Sequence, residues 1–420
     1  MPNRLSVSLC VLSALVAGCG DSDSPGTAPS FDLGPVIHVR VVPAEVALGG
    51  ASTLSWEAAN ATTCLASGGW SGLVDTSGAV QVGPLEESTT FELYCSDGRR
   101  GTKKSVTVTV RDTYLVTFLP SIDGAEIADW RDAPMPEAIN NIGDVVGHVR
   151  VGEYEHSFIY SNGLMTDLGT FGAVWSEAHD VNNNGDVVGG AFGAGTYSFV
   201  YSNGTTLLIG KDSNVDNVAN AINDNGAVVG GAFFQGVGGR AYLYSDNEWR
   251  ELGTLGGDNS IAHSINNAGV IVGDSLTLGN GDLHAFAFSG GEMTDIGAAV
   301  DGSSTAVDIN DSGDIAISAS SGSFLYRQGQ VTPIGAGTDS VRVRAINDVG
   351  QAVGQAAGGA FIWSESRGMR YLSAMIDPDL GCEVWDALDI NESGHIVARL
   401  FCEAGPGALN PGVILRPGTL

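Results

Sequence analysis

The sequence predicts an all-β protein, with a small N-terminal β-sandwich followed by a C-terminal seven-bladed β-propeller. The first observation is composition, because 60 glycines and only 16% charged residues are typical of short strands and tight turns. The second is a repeated turn of the form Asn-x-x-Gly, whose Asn stands at positions 140, 182, 223, 266, 310, 347 and 391. The third is an additional predicted strand at the start of the repeat region, which matches the fourth strand that the last repeat lacks.

Charge limits the partners that the chain can have. Its 420 residues include 48 acidic and 19 basic side chains, which give a formal net charge of −29. Such a chain is repelled by nucleic-acid phosphate and by anionic lipid surfaces, so we expect no nucleic-acid partner. Cations and neutral or basic partners fit better.

The first 18 residues have the pattern of an export signal. Arg4 precedes an apolar run over residues 5–17, which is too short to span a bilayer. The run ends in Leu15-Val16-Ala17-Gly18-Cys19, which resembles the lipobox of bacterial lipoproteins. The resemblance implies cleavage before Cys19, lipidation of its thiol and membrane association through that lipid; the alternative is an ordinary cleaved signal followed by an unmodified Cys19.

Residues 19–35 are rich in Gly, Ser, Pro and Asp, and they predict a flexible tether between the anchor and the folded part. Gly20, rather than Asp, follows Cys19, so the sequence carries no inner-membrane retention cue of the enteric kind. We therefore expect a location in the bacterial cell envelope, at the outer membrane or cell surface.

Residues 36–111 alternate apolar and polar side chains in runs at 37–41, 52–56, 90–94 and 105–110, which predicts strands buried on one face. The segment resembles bacterial immunoglobulin-like modules around Leu54-Ser55-Trp56 and Tyr94-Cys95. In an oxidising compartment we expect a Cys64–Cys95 disulfide, worth about 3 kcal/mol in the chain-entropy model. Trp56 precedes both cysteines, unlike the antibody order, so the identity of the bridged strands stays open.

Residues 113–420 contain the repeats, each of which predicts four strands. In the second repeat the first strand ends at Val181, the turn 182–185 follows, and the second strand begins at Val187. A third strand covers 197–201, and Asn203-Gly204 forms a hairpin turn to the fourth, as Asn162-Gly163 does in the first repeat. In the sixth repeat the predicted fourth strand ends at residues 371–373. Four strands in about 42 residues is the size of a propeller blade, whereas the coils of β-helices are shorter.

The ends of the repeat region predict how the ring closes. The last repeat has a second strand at 395–398 and a third at 412–415 but no fourth. Residues 116–120 align with the fourth strand at 165–169, so the first strand of the domain completes the last blade. This strand exchange leaves no open sheet edge.

The units resemble the HAF repeats of predicted extracellular bacterial proteins. The resemblance depends on His284-Ala285-Phe286, on residues 160–163 and 251–257, and on the seven Asn turns, and it covers 113–420. It implies export and a propeller-like fold. It implies no established activity.

Three turns also resemble the opening of a calcium loop, at Asp180, Asp308 and Asp389. The acidic residue that closes such a loop is absent, because Ala191, Ala319 and Leu400 stand at the twelfth positions. Plain turn chemistry is therefore favoured over calcium, and we assign no metal or other cofactor. No motif marks a catalytic nucleophile or an acid–base pair, so we assign no catalytic residue.

The candidate binding site comes from the repeat symmetry. The residues three positions before each repeated Asn form a mixed polar ring if they point toward the channel mouth: Glu137, His179, Asn220, His263 and Arg344, with Val307 and Leu388 at the two remaining positions. The simpler interpretation is a set of unrelated solvent-exposed positions, since the direction of these side chains depends on strand register.

Cys382 and Cys402 flank the first two strands of the last repeat and predict a second disulfide. For the whole chain we expect a lipid-anchored protein whose propeller binds a glycan, peptide or protein partner without catalysis. The alternatives are a glycan-processing enzyme that uses the propeller funnel and a structural envelope protein.

Overall fold

The computed structural model describes residues 34–47, 50–85, 87–122, 132–210, 215–234, 236, 238–335, 340–402 and 411–418. The chain divides into two compact units, with the boundary between Val110 and Arg111. The predicted export signal, Cys19 and most of the tether lie outside the described residues. Each unit is all-β.

The N-terminal unit, where the structure describes it, has these strands: β1 (Val36–Val42), β2 (Glu45–Ala47), β3 (Ser52–Ala59), β4 (Thr63–Gly68), β5 (Gly72–Val74), β6 (Ser77–Val82), β7 (Thr89–Ser96) and β8 (Gly101–Arg111). They form a three-stranded sheet, β1-β3-β6, and a five-stranded sheet, β2-β8-β7-β4-β5. Leu54 of the first sheet packs with Phe91 and Val108 of the second, and all three are almost fully buried. Alternation along the strands therefore provides the apolar faces, as the sequence predicts.

The predicted Cys64–Cys95 disulfide is present. The two cysteines lie directly opposite each other on β4 and β7, which are neighbours in the five-stranded sheet. The bridge therefore connects two strands of one sheet. Trp56 lies on β3 of the other sheet, and its ring contacts that of Trp70 edge to face at 4.9 Å.

The described residues of the C-terminal unit form seven four-stranded antiparallel sheets. Sheets 1 to 6 take their strands in chain order. Sheet 1 has β10 (Met135–Ile139), β11 (Val145–Val151), β12 (Tyr154–Ser161) and β13 (Leu164–Gly169); sheet 2 has β14 (Trp175–Val181), β15 (Val187–Phe192), β16 (Thr196–Ser202) and β17 (Thr205–Ile209); sheet 3 has β18 (Asp216–Ile222), β19 (Val228–Phe234), β20 (Gly238–Ser245) and β21 (Glu248–Gly253).

Sheet 4 has β22 (Gly256–Ile265), β23 (Ile271–Thr277), β24 (Leu283–Ser289) and β25 (Glu292–Asp295); sheet 5 has β26 (Ser304–Ile309), β27 (Ile315–Ala319), β28 (Gly322–Arg327) and β29 (Gln330–Ile334); sheet 6 has β30 (Arg342–Ile346), β31 (Ala352–Ala356), β32 (Gly359–Ser364) and β33 (Gly368–Tyr371). Short 3-10 helices follow at Gly297–Ala299, Leu372–Met375 and Pro378–Leu380. The predicted fourth strand of sheet 6 extended to residue 373; it ends at Tyr371 because the chain turns there to bury Leu372 and Met375.

Sheet 7 combines the two ends of the unit. It has β34 (Cys382–Ile390), β35 (Ile396–Cys402), β36 (Gly412–Pro417) and β9 (Tyr114–Phe118). β9 pairs with β36, with Val116 opposite Leu415, which is the strand exchange that the sequence predicts. The predicted Cys382–Cys402 disulfide is present and joins directly opposite residues of β34 and β35.

The core of this unit lies between neighbouring sheets. Ala138 and Val146 of sheet 1, for example, pack with Val187 and Phe199 of sheet 2. The first strand of each sheet contacts the first strand of the next, and β34 contacts β10, so the sheets succeed one another around a ring. The prediction of an all-β, propeller-like fold is thus confirmed.

Two of the predicted hairpin turns show why their residues are required. Asn162-Gly163 and Asn203-Gly204 all have positive φ, between 50° and 84°. Such two-residue turns match the twist of the flanking strands, and Asn and Gly adopt them at the lowest cost. Among the described residues, no helix is long and apolar enough to cross a membrane.

Candidate functional site

The seven repeated Asn side chains form a closed hydrogen-bonded ring. Asn140 Nδ2 donates to the carbonyl oxygen of Asn182 at 2.9 Å, each following Asn does the same to its successor, and Asn391 Nδ2 returns to Asn140 O at 2.9 Å. Each Asn Oδ1 accepts the backbone N–H four residues later, such as Val270 N for Asn266. All seven side chains are buried, so both ends of each amide are satisfied where water is excluded.

A second ring lies beside the first. The residue after each Asn donates its backbone N–H to a side-chain oxygen of its counterpart in the next turn, through Asn141, Asn183, Asp224, Asn267, Asp311, Asp348 and Glu392. The turns enclose a small cavity of about 170 Å³. Within the described ranges, no group of three or more His, Cys, Asp or Glu side chains is arranged to hold a metal ion.

The acidic residues that resemble calcium-loop openings make protein contacts instead. One carboxylate oxygen of Asp180, Asp308 and Asp389 accepts the backbone N–H of Ile222, Ile346 and Ile139, respectively, each in the next sheet at 2.8 Å. The other oxygen accepts the N–H of the following residue in its own strand. These three carboxylates therefore cross-link adjacent sheets near the turns.

Burial between the sheets shifts the pKa values of these three carboxyl groups. Burial raises the pKa of Asp180 to about 6 and that of Asp389 to about 7, with repulsion from Asp308 adding to both. Burial also raises the pKa of Asp308. The backbone N–H bonds oppose the shift, because they favour the ionised form.

The residue three positions before each Asn lies at a β-bulge in all seven first strands. The register with the second strand shifts at Glu137, His179, Asn220, His263, Val307, Arg344 and Leu388. A bulge adds one unpaired residue and re-aims its side chain. This repeated irregularity therefore sets the same position apart in every first strand.

Six of these seven residues line one cavity of about 680 Å³, located away from the Asn turns. They are Glu137, Asn220, His263, Val307, Arg344 and Leu388. The seventh, His179, is not among the lining residues. Its Nδ1 bonds the carbonyl oxygen of Ala219 in the next sheet at 2.9 Å, so the side chain spans two sheets.

The polar members of this ring are held by specific partners. Arg399 Nη2 donates to Glu137 Oε1 at 2.7 Å, from sheet 7 to sheet 1. Arg344 Nη2 donates to Asp386 Oδ2 at 3.0 Å, from sheet 6 to sheet 7. These bonds therefore hold both side chains in place.

Two further partnerships extend the network through sheets 3 and 4. Asn220 Nδ2 donates to Ala262 O at 2.8 Å. His263 Nε2 lies 2.6 Å from Asp274 Oδ2 within sheet 4.

Several polar residues of this region were missed from the sequence, and they occupy two other repeat phases. Glu177, Arg342 and Asp386 stand five residues before their Asn; His148, Asp274 and Arg399 stand eight residues after it. Aligning all seven repeats at those two phases reveals charged or polar side chains among mostly apolar or small ones. An alignment of the seven repeats at these two positions would therefore have identified them.

A titratable cluster lies between sheets 1 and 2. Burial raises the pKa of Glu137, although Arg399 opposes the shift. Burial lowers the pKa of His148. The neighbouring His179 imidazole lowers the pKa of Glu177. Burial lowers the pKa of His179, but Glu177, 3.6 Å away, and the Ala219 carbonyl outweigh it and leave that pKa raised.

Three buried polar atoms near this cluster have no hydrogen-bond partner among the described residues: His148 Nδ1, Asp386 Oδ1 and Arg399 Nε. Buried polar groups in folded proteins are almost always paired, and the exceptions concentrate where water, ions or ligands complete them. They lie on sheets 1 and 7, the same two sheets that contribute Glu137 and Leu388 to the cavity.

On its other side the cavity is cationic and rich in hydroxyls. Arg342 and Arg344 of β30 line it together with Ser303, Ser304, Thr305, Ser318 and Ser320. Arg342 is exposed and forms no ion pair or hydrogen bond within the part of the chain that the structure describes. The cavity can therefore offer a free guanidinium beside several hydroxyl groups.

Comparison with known proteins shows what this all-β ring resembles. No family model matches the chain, and no curated protein matches it. The solved structure of YCF48 bound to D1 peptide is similar, with 10% identity and a TM-score of 0.46, over 74% of this chain and 96% of that chain.

Two further solved structures are similar. The β-propeller domain of the Trilobed protease from Pyrococcus furiosus has 11% identity and a TM-score of 0.43, over 81% of this chain and 99% of that one. A protein of unknown function from Bacteroides thetaiotaomicron has 10% identity and a TM-score of 0.37, over 91% of this chain and 98% of that one.

Proposed function

We propose that this protein is a lipid-anchored component of the bacterial cell envelope whose propeller binds a ligand in its central cavity without catalysis. The observation that carries the proposal is the cavity of about 680 Å³ lined by the bulged residues. Cavities of this size with a few ordered polar groups are the usual form of ligand sites. Adhesion or surface recognition is the role that such a site serves in an anchored protein.

The proposed architecture gives each segment a part. Seven four-stranded sheets, the last completed by β9, support seven blades built from HAF-like repeats. Two facing sheets over residues 36–111 support an immunoglobulin-like spacer. Cys19 is the proposed lipid attachment site, at the outer membrane or cell surface. The two disulfides support folding in an oxidising compartment.

The contacts in the cavity favour binding over chemistry. Glu137 and Arg344 are each engaged in an ion pair, and His263 is bonded to Asp274. Charged groups that are already neutralised and oriented give specificity to a ligand that completes the network. Recognition is therefore the function that this geometry supports best.

The test is a binding screen of the purified full-length chain against glycan and peptide arrays, with and without calcium. We expect a specific ligand whose affinity falls at least about tenfold in Asn220→Ala and Arg344→Gln, since each removes a cavity hydrogen bond. Arg150→Gln is the matched control, because Arg150 lies on β11, is not among the lining residues and, within the described ranges, donates its side-chain hydrogen bond to its own turn at Gly152. Equal losses in the control, or no ligand at all, would contradict a binding role and favour a structural envelope protein.

A second candidate function is glycan processing, which the cluster of Glu137, His148, Glu177 and His179 favours. A carboxyl with a raised pKa beside an ionised carboxylate is the arrangement of a general acid and its partner. The check is product formation from bound glycans by the native chain and by Glu137→Gln and Glu177→Gln. The binding proposal predicts no product; turnover that both variants abolish would replace it with an enzyme.

A further inference from the structure

We propose that the cavity accepts an acidic glycan, with a uronate carboxylate held by Arg342 and Arg344 and sugar hydroxyls held by the neighbouring Ser and Thr side chains. This inference rests on the proposed binding function and names the class of ligand. It is carried by the arrangement of two guanidiniums at the wall of one cavity.

The two arginines of β30 line the same cavity. Arg342 and Arg344 are exposed, whereas Val343 between them is only 1% exposed and packs in the core. Regular alternation does not apply here, because Arg344 is the bulged residue of this strand. What the two side chains share is the cavity wall, so both guanidiniums are presented to one cavity.

Their hydrogen-bonding capacity is not used up by the protein. Arg344 donates to Asp386 through Nη2 alone, which leaves its Nε and Nη1 without a bond among the described residues. Arg342 makes no bond at all within those residues. Because the guanidinium fork matches a carboxylate in two parallel hydrogen bonds, the free edges select a planar anion.

The charge balance of the cavity points the same way. Asp386 is 2% exposed and is engaged by Arg344, and Glu137 is engaged by Arg399. Two of the described lining residues are arginines and one, Glu137, is a carboxylate; Arg342 forms no ion pair there, although Asp386 lies within its electrostatic reach. Two arginines in the wall of one cavity are a specific feature on a chain with a net charge of −29, because a nonspecific surface of this protein repels anions.

The remaining lining indicates a sugar as the carrier of that anion. Ser318 Oγ and Ser323 Oγ lie 3.4 Å apart, and Ser318 lines the cavity with the exposed hydroxyls of Ser303 and Ser320. Hydroxyls donate and accept at once, which suits the hydroxyl groups of a sugar ring. No aromatic side chain is among the described lining residues, so recognition here uses hydrogen bonds and charge rather than ring stacking.

The experiment compares a trigalacturonate with its carboxyl-reduced, neutral counterpart by isothermal titration against the purified full-length chain. The two ligands differ only in the carboxylates, so their difference isolates the anion. We expect the acidic ligand to bind at least about tenfold more tightly and to lose at least about tenfold in Arg342→Gln, with the neutral ligand unaffected by that variant. Arg342 is exposed, so the variant should retain the native unfolding temperature; Arg150→Gln controls for the loss of one positive charge.

Equal affinity for the two ligands, absence of trigalacturonate binding, or an unchanged affinity in Arg342→Gln would overturn the acidic-glycan inference. The binding function itself is judged separately by the arrays. An array ligand that depends on Asn220 but carries no acid would refute the inference and leave the binding proposal standing, whereas no array ligand would remove both.

Discussion

Asn266 shows how one side chain can hold two turns at once. Its amide donates to the carbonyl of Asn310 in the next turn, and its oxygen accepts the N–H of Val270 in its own turn. The sequence predicts only the second role, because Asn-x-x-Gly is a turn pattern. The first role depends on the distance between consecutive turns, which only the assembled ring determines.

Asn266→Ala should lower the free energy of unfolding by about 2–3 kcal/mol, because it leaves a buried carbonyl and a half-buried N–H without partners. Asn225→Ala is the control, since Asn225 is exposed and its amide makes one solvent-accessible bond to Asn267 O. We expect a loss below about 1 kcal/mol for the control. Urea unfolding followed by tryptophan fluorescence measures both, and equal losses would refute a special role for the buried ring.

Asp389 should make stability depend on pH. Its folded pKa of about 7 lies above the value of about 3.9 for an unfolded Asp, so the native state binds the proton more tightly. The stabilisation is fully present below pH 4 and is lost as pH rises through 7. The free energy of unfolding should therefore fall between pH 4 and 7, by at most about 1.4 kcal/mol per pH unit from this group.

The comparison that isolates Asp389 is the pH dependence of urea unfolding in the native chain and in Asp389→Asn. General charge repulsion in so acidic a chain affects both proteins equally. The difference between them should shrink as pH rises from 4 to 7, since the amide does not titrate. A difference that is constant over this range would show that Asp389 is ionised throughout.

The direction of the bulged side chains marks the limit of sequence reasoning at this scale. Repeat symmetry selects Glu137, Asn220, His263 and Arg344, and these four residues line one cavity. It could not exclude His179 from that lining, because the ring of His179 turns aside to Ala219 O. Packing decides which of several partners a side chain contacts, and the spacing of residues in the sequence does not determine that choice.

At the scale of elements, β9 is the strand whose position the sequence predicts most directly. Apolar residues at 116–120 match the fourth strand of other repeats, and β9 pairs with β36 accordingly. Just beyond it, Leu119 is 2% exposed and packs in the core that contains Val145, Phe158 and Ile414. The exchanged strand thus connects the core of sheet 7 with that of sheet 1.

Leu119→Ala should destabilise the C-terminal unit by about 2–4 kcal/mol through lost burial and a residual cavity. The adjacent Phe118→Ala is the matched control, because Phe118 is 46% exposed and loses little buried area. Differential scanning calorimetry of the full chain gives both values. A larger loss of stability in Phe118→Ala than in Leu119→Ala would show that Phe118, rather than Leu119, points into the core.

Sheet 6 shows where element prediction fails. The sequence extends its fourth strand to residue 373, whereas the chain leaves the sheet after Tyr371. Leu372 and Met375 are buried together on a 3-10 turn that packs against β32 and β34. Two apolar residues three apart fit both a short helix and a strand end, so local pattern could not separate them.

At the scale of the whole molecule, the number of repeats and the exchange between the two ends of the repeat region were predictable because they are written as periodic sequence. In the N-terminal unit, the identity of the strands that the disulfide bridges was not predictable. Cys64 and Cys95 bridge neighbouring strands of one sheet, and the sequence left this open because cysteine spacing does not encode connectivity.

The proposed anchor gives a test for the whole chain. Cys19→Ala should abolish incorporation of labelled palmitate in a bacterial host and move the protein from the membrane to the soluble fraction, because a thiol is needed for acylation. Cys382→Ala is the control, since it removes a cysteine of the folded part. Retention of label in Cys19→Ala would refute lipidation at this residue.

The Asn ring also has a topological consequence. Each of its seven bonds is made by the same atoms, including the one from Asn391 back to Asn140, so nothing in the ring marks a start. The two chain segments that enter and leave the unit are adjacent, since Gly418 N donates to Thr113 O at 2.7 Å. The repeat region is therefore suited to circular permutation. A short linker would join the segments next to Thr113 and Gly418, and the new chain ends would lie in a loop between two sheets. Such a variant would relocate the exchanged strand and keep every bond of the Asn ring.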